Sequence, residues 1–289
     1  MKETWKRRLR PFVPRTFRTW WRLRFGWRWF EGDYGTWAEA RAKCRGYDDA
    51  RIVEKVLQTT LLVAAGRGAY ERDGVLFAEP KPEPGLIAAL REVASARRGR
   101  LRLLDFGGGL GTTYWRHRAA LSDLEALRWD VVEQAPFAAA GRRHFSGGAL
   151  HFFESIAEAQ RTGPHDALLV STTLQYLEAP HAVLGTWMSP GWPFIVFNNL
   201  PLHRRLPDRL AVQRVPPEIY PGSYPVWFFN RERFLDQLSS GYELVREFAS
   251  EAVWSVNRRE YPSTGLLLKR KGHDERPQPD SENASGGAH

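Results

Sequence analysis

The feature that most restricts the fold is a glycine-rich turn placed between a strand and a helix. The apolar run Leu101–Phe106 leads into Asp105-Phe106-Gly107-Gly108-Gly109-Leu110-Gly111, and a helix containing Tyr114 follows. Glycines at such a junction let the backbone turn sharply and let a ligand approach without meeting a Cβ, close to the N–H groups that open the helix. An acid, Glu133, closes the next apolar run 22 residues after Gly111. A doubly wound α/β sheet presents a carboxylate to a ribose diol at that point.

The rest of the chain repeats the strand–helix alternation. The runs Leu101–Phe106, Trp129–Glu133, Leu150–Phe153, Ala167–Ser171 and Phe194–Phe197 are separated by helical windows, as a parallel sheet with crossover helices requires. Asn230 caps a helix over Arg231–Leu238, and Tyr242–Phe248 and Gly265–Lys269 read as two closing strands joined antiparallel. The expectation is an α/β fold: a doubly wound, mostly parallel seven-stranded sheet with helices on both faces and an N-terminal helical extension. In that extension Thr36 and Glu39 form a capping box, and Asp48 caps a helix whose apolar face is Ile52, Val56 and Val63. A stiff proline-rich connector, 79–84, precedes a third helix through Leu86, Ile87, Leu90 and Val93. The chain divides into a basic aromatic arm (1–30), a helical cap region (31–98), the α/β domain (99–271) and a disordered tail (272–289).

The net charge is confined to the arm. Residues 1–30 carry ten Lys/Arg against Glu3 alone, which equals the +9 of the whole chain. The remaining residues balance, so a nucleic-acid-binding body is unfavoured. Five tryptophans interleave with the arginines of the arm. Such a segment suits an anionic membrane surface, and equally a packed layer against the protein's own body. No run reaches the ~20 apolar residues of a membrane span, and the single cysteine, Cys44, excludes disulfide frameworks and multi-cysteine metal sites. A reducing compartment follows: cytoplasmic, with a peripheral place at the inner face of a membrane if the arm binds lipid. No metal motif is present.

The glycine turn separates from other phosphate and nucleotide loops. No lysine lies between Lys81 and Lys269, which rules out a Walker loop. The dinucleotide fingerprint lacks its third glycine, since Thr112 or Tyr114 stands there. The residues instead give acid-x-Gly-x-Gly-x-Gly: Asp105, Gly107, Gly109, Gly111. This resembles the cofactor loop of class I, Rossmann-like S-adenosylmethionine-dependent methyltransferases, over about residues 85–271. Gly32-Asp33-Tyr34 with Trp37, Gly46-Tyr47-Asp48 and Ser223-Tyr224-Pro225-Val226-Trp227 are similar to a group of bacterial methyltransferases without an assigned substrate. The resemblance implies S-adenosyl-L-methionine as cofactor, a last strand inserted antiparallel into the sheet, and N-terminal helices that lid the cleft.

Carried over by position, Asp105, Gly107, Gly109 and Gly111 line the methionine and ribose portions and Glu133 holds the ribose hydroxyls. Glu154 or Ser155 stands where the fold offers a polar group to the adenine amine, in place of the commoner Asp. Ser171 ends the fourth strand of the α/β domain at the cleft. Gln175 and Tyr176 either face the acceptor or cap and pack the next helix. Asn198 and Asn199 end the fifth strand, and at least one of these amides is expected to bond a ligand or loop backbone. His181 and His203, after strand ends, are candidate general bases beside Gln175, Tyr176 and Asn199. The proline- and aromatic-rich loop 201–229, with Tyr220, Tyr224 and Trp227, forms either an acceptor wall or a satellite apolar cluster. The expected activity is methyl transfer to a small-molecule or saccharide acceptor, most simply O-methylation. Its rivals are a nicotinamide oxidoreductase and a non-catalytic adaptor at membrane or nucleic acid.

Overall fold

The structure is a computed structural model that describes residues 30–44, 49–189, 191–204, 207–215, 222–256 and 259–272. The expectations for the arm before Phe30, for Asp48, for Tyr220 and for the tail after Gly272 lie outside the described residues.

Ten strands form one sheet. The chain begins with β1 (Phe30–Tyr34), α1 (Trp37–Ala42) and α2 (Asp49–Ala64). The short hairpin β2 (Tyr70–Arg72) and β3 (Val75–Phe77) precedes α3 (Pro84–Ser95). The doubly wound part follows as β4 (Arg100–Phe106), α4 (Thr112–His117), β5 (Ala126–Val132), α5 (Ala135–His144), β6 (Leu150–Phe153), α6 (Ile156–Gln160), β7 (Ala167–Ser171), α7 (Pro180–Met188) and β8 (Phe194–His203). Last come β9 (Arg209–Val215), β10 (Gly222–Asn230), α8 (Arg231–Ser239), β11 (Tyr242–Val256) and β12 (Arg259–Arg270).

The sheet order is β10-β9-β1-β11-β12-β8-β7-β4-β5-β6. From β6 to β8 all neighbours are parallel. β12 lies antiparallel between β8 and β11, as expected for the closing pair. All seven expected strands are present. The count of seven is nevertheless corrected to ten, because β1, β9 and β10 extend the edge beyond β11. The segment 201–229 is thus largely strand in its described part, and 31–98 contains β1 and the β2–β3 hairpin besides its helices. Prolines masked the extra strands: Pro225 sits inside β10 opposite Val212, near the sheet edge, where a missing N–H is tolerated.

Local signals behave as their chemistry dictates. The Thr36/Glu39 capping box forms in both directions at 3.2 Å and opens α1. Asn230 accepts from the Arg233 N–H at 2.9 Å and opens α8. Two apolar layers cover the parallel strands, one under α2, α3 and α5 through Leu86, Leu90, Trp129 and Phe152, the other under α7 and α8 through Trp187, Phe197 and Phe234. A third cluster of Phe30, Phe228, Trp254 and Tyr261 holds the added strands to β11 and β12.

β4 is the topological switch point: the chain moves from it to β5 on one side, and later returns to β7 on the other. A crevice opens there beyond the carboxyl ends of the strands, where ligands bind in such sheets.

Candidate functional site

The crevice holds a cleft of about 710 Å³. Its floor is the turn after β4. Gly107, Gly109 and Gly111 have φ of +74°, +60° and +84°, values that non-glycine residues seldom adopt. Their surroundings differ. A Cβ on Gly107 would lie 2.3 Å from Thr173 Cγ2, whereas one on Gly109 would meet only Thr112 Oγ1, at 3.7 Å. Gly107 is therefore needed for contact with the turn after β7, and Gly109 is the glycine whose missing side chain leaves open space.

Glu133, just past β5, faces this turn. Its carboxylate accepts the Gln134 N–H at 2.7 Å and faces the N–H of Gly109, while burial raises its pKa. Asp105 lies beneath the floor, fully buried, with Oδ2 accepting the Trp129 indole N–H at 3.0 Å. Burial pushes its carboxyl up to about 7, and the Glu133 charge adds to the shift. Asp105 supports the turn from below and does not line the cleft.

On the β7 side the lining comprises Ser171, Thr172, Thr173 and Tyr176. Thr172 and Asn199, both facing the cleft, hold φ of +58° and +56°. Such strain in non-glycine residues persists only where the surroundings over-determine it, and it clusters at ligand sites. The added strands supply Gln213 and Tyr224. Tyr176 donates its hydroxyl to Gln213 Oε1 at 2.8 Å and stands edge-to-face with Tyr224, ring centroids 5.2 Å apart. The alternatives for Tyr176 and for the aromatic segment separate here. Tyr176 and Tyr224 face the cleft, whereas Phe228 and Phe229 are fully buried in apolar clusters.

Asn198 and Asn199, expected to end their strand, lie in the middle of β8, which runs on to His203 through its pairing with β12 and β10, and the two amides meet a residue that sequence patterns did not single out. Asn198 donates to Glu83 Oε2 at 2.8 Å, and Asn199 Nδ2 lies 3.5 Å from Glu83 Oε1. Both amides thus meet a carboxylate of the connector before α3, while Asn199 also faces the Ala252 N–H of β11 with its Oδ1 at 3.5 Å and lines the cleft. Glu83 also takes Arg116 Nη1 at 2.9 Å, and Arg116 bridges onward to Glu251 at 2.6 Å. His117 closes the network. Its Nδ1–H faces the Thr113 carbonyl at 2.8 Å, and its Nε2 accepts the Glu83 N–H at 3.2 Å. Both bonds suit a neutral ring, and burial lowers its pKa.

Several expected site residues stand elsewhere. His181 is held between Asp208 at 2.7 Å and Gln237 at 2.6 Å, at the start of α7. His203 packs on Tyr261 with centroids 5.7 Å apart, and burial lowers its pKa. Gln175 is fully buried against the Asn199 carbonyl. Trp227 stacks on Trp37 at 6.5 Å. Glu154 pairs with Arg142 at 2.5 Å, and Ser155 caps α6 by accepting the Glu158 N–H at 3.1 Å. Gly111 packs toward Leu150 and Trp115. None of these lines the cleft.

The cap region contributes Ile52 and Val56 of α2, Glu71, Arg72 and Asp73 of the hairpin, and Lys81 and Glu83 of the connector. Among the described lining residues five carboxylates (Glu71, Asp73, Glu83, Glu133, Glu251) face three cations (Arg72, Lys81, Arg116). Arg116 serves Glu83 and Glu251, Lys81 lies 3.3 Å from Glu251, and Arg72 lies 3.9 Å from Asp73. The two carboxylates in excess are Glu133 and Glu71, both beside the glycine turn. The cleft thus favours a ligand with positive charge. No group of three or more metal-ligating side chains occurs among the described residues, and no helix among them is long and apolar enough to cross a membrane.

No protein-family model matches the chain, and no curated protein does. Solved structures with a similar fold include the N-terminal domain of EvdMO1 with SAH bound, at 16% identity and TM-score 0.42, covering 78% of this chain and 100% of that one. Magnesium protoporphyrin IX methyltransferase (ChlM) from Synechocystis PCC 6803 with bound SAH is 15% identical at TM-score 0.42, covering 92% and 99%. The mitomycin 7-O-methyltransferase MmcR is 18% identical at TM-score 0.39, covering 64% and 53%.

Proposed function

We propose that the chain is a class I S-adenosylmethionine-dependent methyltransferase that O-methylates a small hydroxyl compound, with a saccharide as the favoured acceptor class. The observation that carries this reading is the excess of carboxylate around an open glycine turn. S-adenosylmethionine brings a sulfonium and an ammonium against one carboxylate, a net positive charge that suits the cleft. A dinucleotide would bring a pyrophosphate to the same turn, against Glu71 and Glu133, which disfavours the oxidoreductase reading.

In this reading Gly107 and Gly109 form the floor for the methionine and ribose portions, with Asp105 and Gly111 shaping the turn behind them. Glu133 takes the ribose diol, and Ser171 lies at the mouth of the next strand. When bound, the cofactor would supply an electrophilic methyl group from its sulfonium to the acceptor oxygen, itself becoming a neutral thioether while the acceptor gives up its hydroxyl proton. Tyr176, fixed by Gln213, and Tyr224 present aromatic edges and faces on which a sugar ring can stack. Holding the acceptor in line is the main source of rate in such a displacement. His117 is the lining histidine among the described residues, and both its nitrogens are engaged, so the acceptor proton is assigned to water. The arm, on its sequence alone, is assigned to an anionic lipid surface at the inner face of a membrane.

Calorimetric titration of the full chain with S-adenosylmethionine, S-adenosylhomocysteine and NAD tests the reading. Binding of the first two without NAD supports it. Binding of NAD alone replaces it with an oxidoreductase, and binding of none leaves the adaptor. Transfer of a labelled methyl group to a panel of saccharides and phenols then separates the acceptor classes.

A further inference from the structure

Glu71 is the cleft carboxylate whose position the glycine turn does not explain. It sits on β2, outside the main sheet, 1% exposed and yet part of the cleft wall. Its partners are neutral: Oε1 accepts the Thr112 hydroxyl, and Oε2 accepts the Gly74 N–H at 3.1 Å. No lysine, arginine or histidine among the described residues forms an ion pair with it, although Arg72 is its chain neighbour and Arg116 stacks over the ring of Tyr70 at 4.7 Å. Burying a carboxylate without a counter-charge is costly, and in the free protein the group holds its proton up to about pH 7 because of that burial.

Its location names the missing partner. Thr112 opens α4 directly after the turn, and its Oγ1 is the atom nearest to the open position above Gly109. Glu133 faces the same turn at the Gly109 N–H and lines the same cleft. Two excess carboxylates therefore flank Gly109, one on the doubly wound sheet and one on the hairpin. A ligand whose ribose lies at Glu133 and which crosses Gly109 reaches Glu71 with its other end.

We infer that Glu71 binds the α-ammonium of the cofactor's methionine portion, so that the β2–β3 hairpin completes the cofactor site. This rests on the methyltransferase reading above. The hairpin carries the counter-charge across the glycine turn, with Thr112 and Gly74 orienting the carboxylate. A role confined to holding the hairpin against α4 would not depend on the ligand's charge.

The test pairs one substitution with one change in the ligand. The full chain and Glu71→Gln are titrated calorimetrically at pH 7.5 with S-adenosylhomocysteine and with its deamino analogue, in which hydrogen replaces the α-ammonium. Glu71→Gln is expected to weaken S-adenosylhomocysteine about ten- to hundredfold and to leave the deamino analogue unchanged. Equal losses for both ligands, or no loss for either, overturn the inference while the methyltransferase reading stands. If the unaltered protein binds neither ligand, both readings fall together. Should Glu71→Gln not fold, as judged by its circular dichroism melt, Glu71→Asp replaces it. That variant keeps the charge one methylene short and is expected to weaken S-adenosylhomocysteine selectively, an effect on both ligands alike again overturning the assignment.

Discussion

Asn198 donates its Nδ2–H to Glu83 Oε2 at 2.8 Å, tying the middle of β8 to the residue before α3 across 115 positions of chain. Ser250 Oγ completes the amide by donating to Asn198 Oδ1 at 2.9 Å, and Arg116 lies on the other oxygen of Glu83. The connector is thereby fixed to the mouth of the sheet, and the cap region with it. Glu83→Ala leaves the Arg116 guanidinium, 7% exposed, with Glu251 as its remaining anion, and strips Asn198 of an acceptor. The expected loss is about 2–4 kcal/mol of stability, read from the urea midpoint at unchanged slope. A loss below about 1 kcal/mol would show that the network is replaced by water.

Glu71 carries a pH signature of its own. Its carboxyl titrates near 7 where 4.5 is usual, burial being the main cause. The native state then holds a proton that the unfolded chain has released between about pH 4.5 and 7, so ligand-free stability falls as pH rises through that window. Glu71→Gln removes this penalty. The variant is expected to match the unaltered protein at pH 4 and to exceed it at pH 8, by at most about 3 kcal/mol. Comparing the two proteins cancels the similar contribution of Asp105. Thermal melts at the two pH values read the difference, and a variant less stable at pH 8 would contradict the expected sign.

His181 is held by Asp208 and Gln237 away from the cleft lining. Its hydrogen bond to Asp208 is the main cause of a raised pKa, and Asp208 also accepts the Asn230 N–H at 2.7 Å where α8 begins. A histidine whose folded pKa exceeds its unfolded value stabilises the protein below about pH 6.5 and loses that contribution as pH rises past the folded value. His181→Gln is therefore expected to cost about 0.5–1 kcal/mol at pH 6, after allowance for solvent screening, and less at pH 8. Cofactor affinity and turnover should not change. A selective loss of turnover would return His181 to the catalytic candidates.

The doubly wound half of the fold was legible because buried parallel strands must be apolar on both faces. Leu103, Leu104, Trp129, Val131, Leu168 and Leu169 are each fully buried and stand out as runs. The glycine turn and Glu133 were legible for a related reason, since positive φ and a strand-end acid both leave a mark on residue type. β9 and β10 escaped because Pro225 and the polar Gln213 interrupt the alternation that identifies a strand. The three-residue strands β2 and β3 are too short for any period to show. Glu71 and Glu83 therefore carried no local signal. Their roles arise from contacts with Thr112 and Asn198, 41 and 115 positions away. Asp105 was recognised as part of the turn, but only its burial against Trp129 places it beneath the floor.

The arm is tested by deletion. Residues 1–30 carry nine net positive charges and five tryptophans. Near an anionic surface such charges contribute up to about 1 kcal/mol each before losses, and indoles add unscreened insertion. Removing residues 2–29 stops short of Phe30, which belongs to the buried cluster with Phe228 and Trp254. Co-sedimentation with phosphatidylserine vesicles is expected to disappear while S-adenosylhomocysteine affinity stays. High salt should weaken vesicle binding only in part. Binding to polyanions without vesicle binding, steeply salt-dependent, would indicate nucleic acid instead, and aggregation on deletion would show that the arm packs on the body.

The turn after β4 and the carboxylate after β5 are proposed to form one cofactor site. Its most direct measurement is the calorimetric dissociation constant of S-adenosylhomocysteine for the full chain and for Glu133→Ala. Glu133 sits at the turn with its carboxylate on the Gln134 N–H, outside the apolar core, so its substitution would remove the hydrogen bonds proposed for the ribose without disturbing that core. Binding by the unaltered protein is expected, with a weakening of about 1–3 kcal/mol, roughly five- to 150-fold, in the variant. An unaltered protein that does not bind, or a variant that binds equally well, would contradict it.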